Sequence, residues 1–129
     1  MALEAVIDAS VFIAWLCEEA LTPNAERLFG QPLVIHVPDL CCLEVAHVLQ
    51  RKVRRKELDQ ATAISLYDIY SQVGKNFCSP IYLEFEEHFT TGITPYDQIY
   101  LNASASVNAP LISSDHRLIQ HGAIPLASF

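Results

Sequence analysis

The chain has 129 residues, 51% hydrophobic and 18% charged, which suits one globular domain with its own core and leaves too little charge for a disordered segment. Its net charge of −7 argues against a basic coat for DNA or RNA, but not against clustered carboxylates working with a metal ion. The longest apolar runs fall far short of a membrane span, and an N-terminus with Glu4 and Asp8 but no basic region does not read as a secretory leader.

Residues 4–7 (EAVI) read as a strand that ends at Asp8, and Val11, Ile13, Ala14 and Leu16 within 10–19 fit a helix. Thr22-Pro23 opens a second helix running to about Gly30. Residues 33–37 (LVIHV) form a second strand. Pro38-Asp39 then opens a helix through Arg55, with Leu40, Leu43, Val45, Ala46, Val48 and Leu49 crowding one side. A further helix covers about 57–73 and closes at Gly74. Residues 77–91 read two ways: Ile81, Leu83 and Phe85 alternate with polar neighbours as in a strand, while Glu84 to Phe89 also fits helical turns. Thr94-Pro95 opens a helix to about Val107, residues 110–113 (PLIS) form a strand, Asp115 to Gln120 a short helix, and a last strand lies near Ile124.

Strands alternating with helices imply an α/β fold with a central, mostly parallel sheet of four or five strands covered by helices on both faces. Ligands bind such sheets beyond the carboxyl ends of the strands. Asp8 and Asp115 each follow a predicted strand and belong on that rim. Glu44 lies in the helix after the second strand and Asp97 in the first turn of the helix after Thr94, each beside apolar residues.

Each acid also has a plain structural reading. Asp8 could bond loop amides, Asp97 and Asp115 could serve helix N-termini, and Glu44 could face solvent. Together they say more, because carboxylates gathered at one edge repel and raise one another's pKa unless a cation compensates. Mg²⁺ or Mn²⁺ suits an all-oxygen donor set, and phosphodiester hydrolysis is the chemistry it serves.

The segments VIDASVFIAWL, PDLCCLEVAHVL, TPYDQIYLNASA and LISSDHRL, in this order and spacing, resemble the PIN-domain ribonucleases, in particular the VapC-type toxins of bacterial toxin–antitoxin pairs. The resemblance spans nearly the whole chain and implies a single PIN-like domain over residues 1–129. It matches Asp8, Glu44, Asp97 and Asp115 to the family's catalytic and metal-holding acids. Ser10 and Ser113 match hydroxyls that support them. It further implies a Mg²⁺- or Mn²⁺-dependent RNA endonuclease, dimeric and inhibited by an antitoxin. Ser113 stands where Thr is usual, and where some members carry another acid or Asn after the last Asp, this chain has His116, Arg117, Leu118 and Ile119. A PIN-like binding module without chemistry and a metal-dependent phosphoesterase for small molecules remain the alternatives.

The run RKVRRK places Arg51, Lys52, Arg54, Arg55 and Lys56 at a helix C-terminus. The helix dipole alone accounts for cations there. The functional reading is contact with RNA phosphates or with a protein partner. Cys17, Cys41, Cys42 and Cys78 include no Cys-x-x-Cys pair, which argues against structural zinc or a disulfide framework and for a reducing, cytoplasmic setting. Glu44-x-x-His47 has no second copy to complete a di-iron motif, and no glycine-rich phosphate loop occurs. Phe12 and Trp15 are candidates for the core or for an interface.

Overall fold

The computed structural model describes residues 1–79 and 85–129. Among these residues five strands form one sheet: β1 (Leu3–Ile7), β2 (Leu33–Pro38), β3 (Asn76–Cys78), β4 (Leu111–Ser113) and β5 (Ile124–Pro125). Their spatial order is β3-β2-β1-β4-β5 and every pairing is parallel. The expected four or five mostly parallel strands are thus, among the described residues, five wholly parallel ones. Central β1 buries Ala5, Val6 and Ile7 in succession, so both of its faces are covered. Chain order reverses between β1 and β4, and the backbone joins them there through Val6 N–H to Pro110 O (2.8 Å) and Asp8 N–H to Ile112 O (3.1 Å).

Among the described residues seven helices surround the sheet: α1 (Ala9–Leu16), α2 (Thr22–Phe29), α3 (Cys41–Arg54), α4 (Gln60–Gln72), α5 (His88–Thr91), α6 (Pro95–Val107) and α7 (His116–Gln120). Helix α6 packs on β1, β2 and β4, while α1 packs on β4 and on α2, α3 and α4. Phe12 of α1 is fully buried, stacked on Phe29 (5.5 Å between centroids) and edge-on to Tyr70 (4.9 Å). Trp15 is half-buried against Phe29. Both aromatic residues of α1 therefore pack inward.

Local chemistry shifts several predicted boundaries. Thr22 does not cap α2; its hydroxyl donates to Ala14 O (2.6 Å) and Cys17 O (2.8 Å), tying α2 to the end of α1. Pro38 completes β2 rather than opening α3, paired with Cys78, and the helix begins at Cys41 after a turn. Helix α4 begins at Gln60 instead of 57, because Asp59 caps it by accepting from Thr62 N–H (2.7 Å). The third strand is Asn76–Cys78, earlier than the alternation beginning at Ile81 suggested. Phe85–Glu87 forms a 3₁₀ turn that runs into α5, which is the helical reading of that stretch. The alternation at 81–84 lies outside the described residues.

Candidate active site

Asp8 leaves β1 at the N-cap position of α1 but makes no capping hydrogen bond with its side chain. Its Oδ2 instead accepts from Ser10 Oγ (2.6 Å) and Ser113 Oγ (2.7 Å). Those hydroxyls also hold the other side of the switch point: Ser114 N–H donates to Ser10 Oγ (3.1 Å) and Asp115 N–H to Ser113 Oγ (2.9 Å). Two small polar residues thus fasten the end of β1 to the end of β4. Tyrosines and cysteines aside, Asp8 and Ser113 are the only charged or polar residues buried among the described residues. Burial pushes the Asp8 carboxyl above its ordinary range; the two serines oppose that rise and nearby Asp115 adds to it.

Glu44 sits in the first turn of α3, half-buried. A carboxyl on so apolar a helix needs a partner, and it accepts from Tyr100 Oη (2.6 Å). The same hydroxyl accepts from Ala9 N–H (3.3 Å), so buried Tyr100 of α6 joins Glu44 to the start of α1. Burial pushes the Glu44 carboxyl up to about 7; Tyr100 opposes the rise, and Asp8, Asp97 and Asp115 each add to it.

Asp97 occupies the first turn of α6, whose cap is Thr94 Oγ1 accepting from Asp97 N–H (3.2 Å). Its Oδ2 is buried and has no hydrogen-bond partner among the described residues. Burial raises its pKa, and Asp115 raises it further. Asp115 caps α7, accepting from Arg117 N–H (2.8 Å), so its capping role and its place at the sheet edge coexist.

The structure brings Asp8, Glu44, Asp97 and Asp115 to one cavity of about 330 Å³, also lined by Ser10, Glu19, Arg51, Lys52 and Ser114. The acids come from four separate elements and meet outside the carboxyl ends of β1 and β4, where this topology places a ligand. As the side chains stand, no three His, Cys, Asp or Glu among the described residues are close enough to grip one metal ion. In kind the donors fit a hard dication: oxygen ligands, pKa values raised by burial and by one another, and a buried carboxylate oxygen with no hydrogen bond among the described residues.

The basic run divides. Arg51 and Lys52 line the acid cavity, and Lys52 pairs with Glu19 (3.3 Å) and Glu57 (3.6 Å). Arg54 lines a different groove, between α3 and α4, with Leu49, Val53, Ile64 and Tyr67. Arg55 and Lys56 are exposed beyond the helix. Sequence reading missed two residues. Tyr100 is one, since nothing local ties it to a glutamate 56 positions away. Arg117 is the other; its Nε lies 4.0 Å from Asp97 Oδ2 and 3.9 Å from Asp115 Oδ1. A cation two residues past an acid was the available signal.

Residues 5–124 match the PIN domain family. Ribonuclease VapC1 of Mycobacterium tuberculosis is 25% identical over 124 residues, covering 95% of this chain and 93% of that one. Among solved structures, PAE2754 from Pyrobaculum aerophilum superposes with a TM-score of 0.70 at 22% identity, over 99% of this chain and 87% of that one. VapBC2 from Rickettsia felis, bound to a DNA fragment from its promoter, gives 0.66 at 15% identity, over 95% and 97%. Mycobacterium tuberculosis VapC20, described as a sarcin–ricin loop cleaving toxin, gives 0.64 at 14%, over 93% and 96%. With its five parallel strands, its acids at the β1–β4 edge and a family match over all but its ends, the chain belongs to the PIN domain family.

Proposed function

We propose that this protein is an endoribonuclease that hydrolyses RNA phosphodiester bonds with Mg²⁺ or Mn²⁺ and serves as the toxin of a toxin–antitoxin pair. The observation that carries the reading is the cavity in which acids from four separate elements meet at the switch point. The ribonuclease name of the VapC1 relative supports the reaction type, and the structural likeness to VapBC2 and to the toxin VapC20 supports the toxin setting.

Asp8, Asp97 and Asp115, with Glu44 beside them, are the residues that would hold the ion, directly or through water. When bound, the ion lowers the pKa of an attacking water and neutralises charge on the phosphate and the leaving oxygen. Glu44, whose carboxyl is pushed up to about 7 in the metal-free protein, would orient the attacking water or accept its proton. Ser10 and Ser113 fix Asp8 by hydrogen bonds and so set where one donor stands. Arg51, on the cavity wall and in no ion pair among the described residues, attracts the phosphate backbone of an unpaired strand in an otherwise acidic protein.

Exposed Phe77, Phe85 and Phe89 are apolar surface of the kind partners cover, which supports a homodimer and an antitoxin complex. Four free thiols and no membrane-length helix among the described residues support work in the reducing cytoplasm. The test is incubation of the purified protein with a mixed RNA pool in Mg²⁺, in Mn²⁺ and in chelator, beside Asp8→Asn. Cleavage in either metal that is absent in chelator and in the variant supports the reading. Cleavage that persists in the variant, or none in either metal, rejects it.

A further inference from the structure

Helix α7 is five residues long, and its second residue, Arg117, reaches two acids at once. Its Nε stands 4.0 Å from Asp97 Oδ2 and 3.9 Å from Asp115 Oδ1. That Asp97 oxygen is the buried one with no hydrogen bond. Among the described residues, Arg117 supplies the only Lys or Arg charge in ion-pair range of either acid; Lys52 is engaged with Glu19 and Glu57. The guanidinium therefore occupies the electrostatic position that a cation shared by Asp97 and Asp115 would take. Its own side chain is 62% exposed, against 15% for Asp97 and 34% for Asp115, so it can leave without repacking the fold.

We infer that Arg117 is a resident counter-ion: it compensates Asp97 and Asp115 in the metal-free protein and must be displaced before a divalent cation is held between them. The inference rests on the metal-dependent reading above and deepens it, giving this chain a positioning residue that sets how much metal the site requires. Both contacts are long and Arg117 is solvated, so each pair is weak and easily exchanged. That is what a displaceable stand-in requires, whereas a short bidentate pair would block the site.

The experiment is calorimetric titration of Mn²⁺ alone into wild type, Arg117→Met, Arg117→Lys and Asp97→Asn, at low ionic strength and without RNA. Arg117→Met is expected to bind Mn²⁺ roughly five- to tenfold more tightly than wild type, since one screened repulsion of the incoming ion and two weak competing ion pairs are removed. Arg117→Lys, which keeps the charge, is expected to stay near wild type, and Asp97→Asn to bind more weakly. Arg117→Met no tighter than wild type, with Asp97→Asn still weakened, would overturn the counter-ion role and leave the metal reading standing. Equal tightening in Arg117→Lys would also overturn it, because the charge would then be irrelevant. Absence of Mn²⁺ binding in wild type and Arg117→Met alike would reject both.

Discussion

Tyr100 and Ser113 show how little of a site needs to be charged. Tyr100 donates to Glu44 and receives the Ala9 amide, so Tyr100→Phe strands a carboxyl that is already reluctant to ionise. Its loss is expected to raise the Glu44 pKa further above about 7 and to cost about 1–3 kcal/mol of stability. Carboxyl-carbon NMR titration with a denaturant melt checks this; an unmoved Glu44 pKa would show that the hydroxyl does not tune it. Ser113→Ala removes a fully buried donor to Asp8 and the acceptor for the Asp115 amide. A loss of about 1–3 kcal/mol is expected in urea unfolding, with a further rise of the Asp8 pKa. The four acids were legible in the sequence because an acid inside an apolar run needs a reason. Tyr100 and Arg117 were not, because their partners are brought near only by tertiary structure.

Elements with strong local rules were legible: Thr94-Pro95 gave the start of α6, and the β-branched run LVIHV gave β2. Misplaced starts came from side-chain chemistry that competes with periodicity. Asp59 caps α4 so that it starts three residues past the predicted start, and Asp59→Ala is expected to lower the melting temperature through that cap. Strand β3 has only three residues, too short to show alternation, and owes its place to pairing with β2. The basic run has no single role on α3, since Arg51 and Arg54, neighbours on the helix surface, stand on either side of the divide between two cavities. Arg51→Ala is therefore expected to reduce the salt dependence of single-stranded RNA binding in chelator by about 0.7 in logarithmic slope. The Arg55→Ala, Lys56→Ala double variant is expected to change it less. A larger effect of the double variant would move the RNA path to the helix end.

At the scale of the whole molecule, a parallel sheet whose strand order reverses between β1 and β4 opens a crevice at their carboxyl ends, and the chain gathers its acids there against their own repulsion. Burial raises Glu44 to about 7, and Asp8 and Asp97 shift the same way. Because the folded pKa of Glu44 exceeds its unfolded value of 4.5, the folded state binds this proton more tightly. That contribution to stability is complete below 4.5 and is lost as pH rises through about 7. Metal-free protein is thus expected to melt at progressively lower temperature across that window, and a bound dication to reverse the loss. The measurement that tests this most directly is thermal unfolding of wild type and Asp8→Asn above pH 7, in chelator and in Mg²⁺. The expected result is a variant at least as stable as wild type in chelator, and a rise in melting temperature with Mg²⁺ in wild type that is lost or much reduced in the variant. Equal rises in both proteins, or none in wild type, would contradict the claim that these acids are held together for a divalent cation.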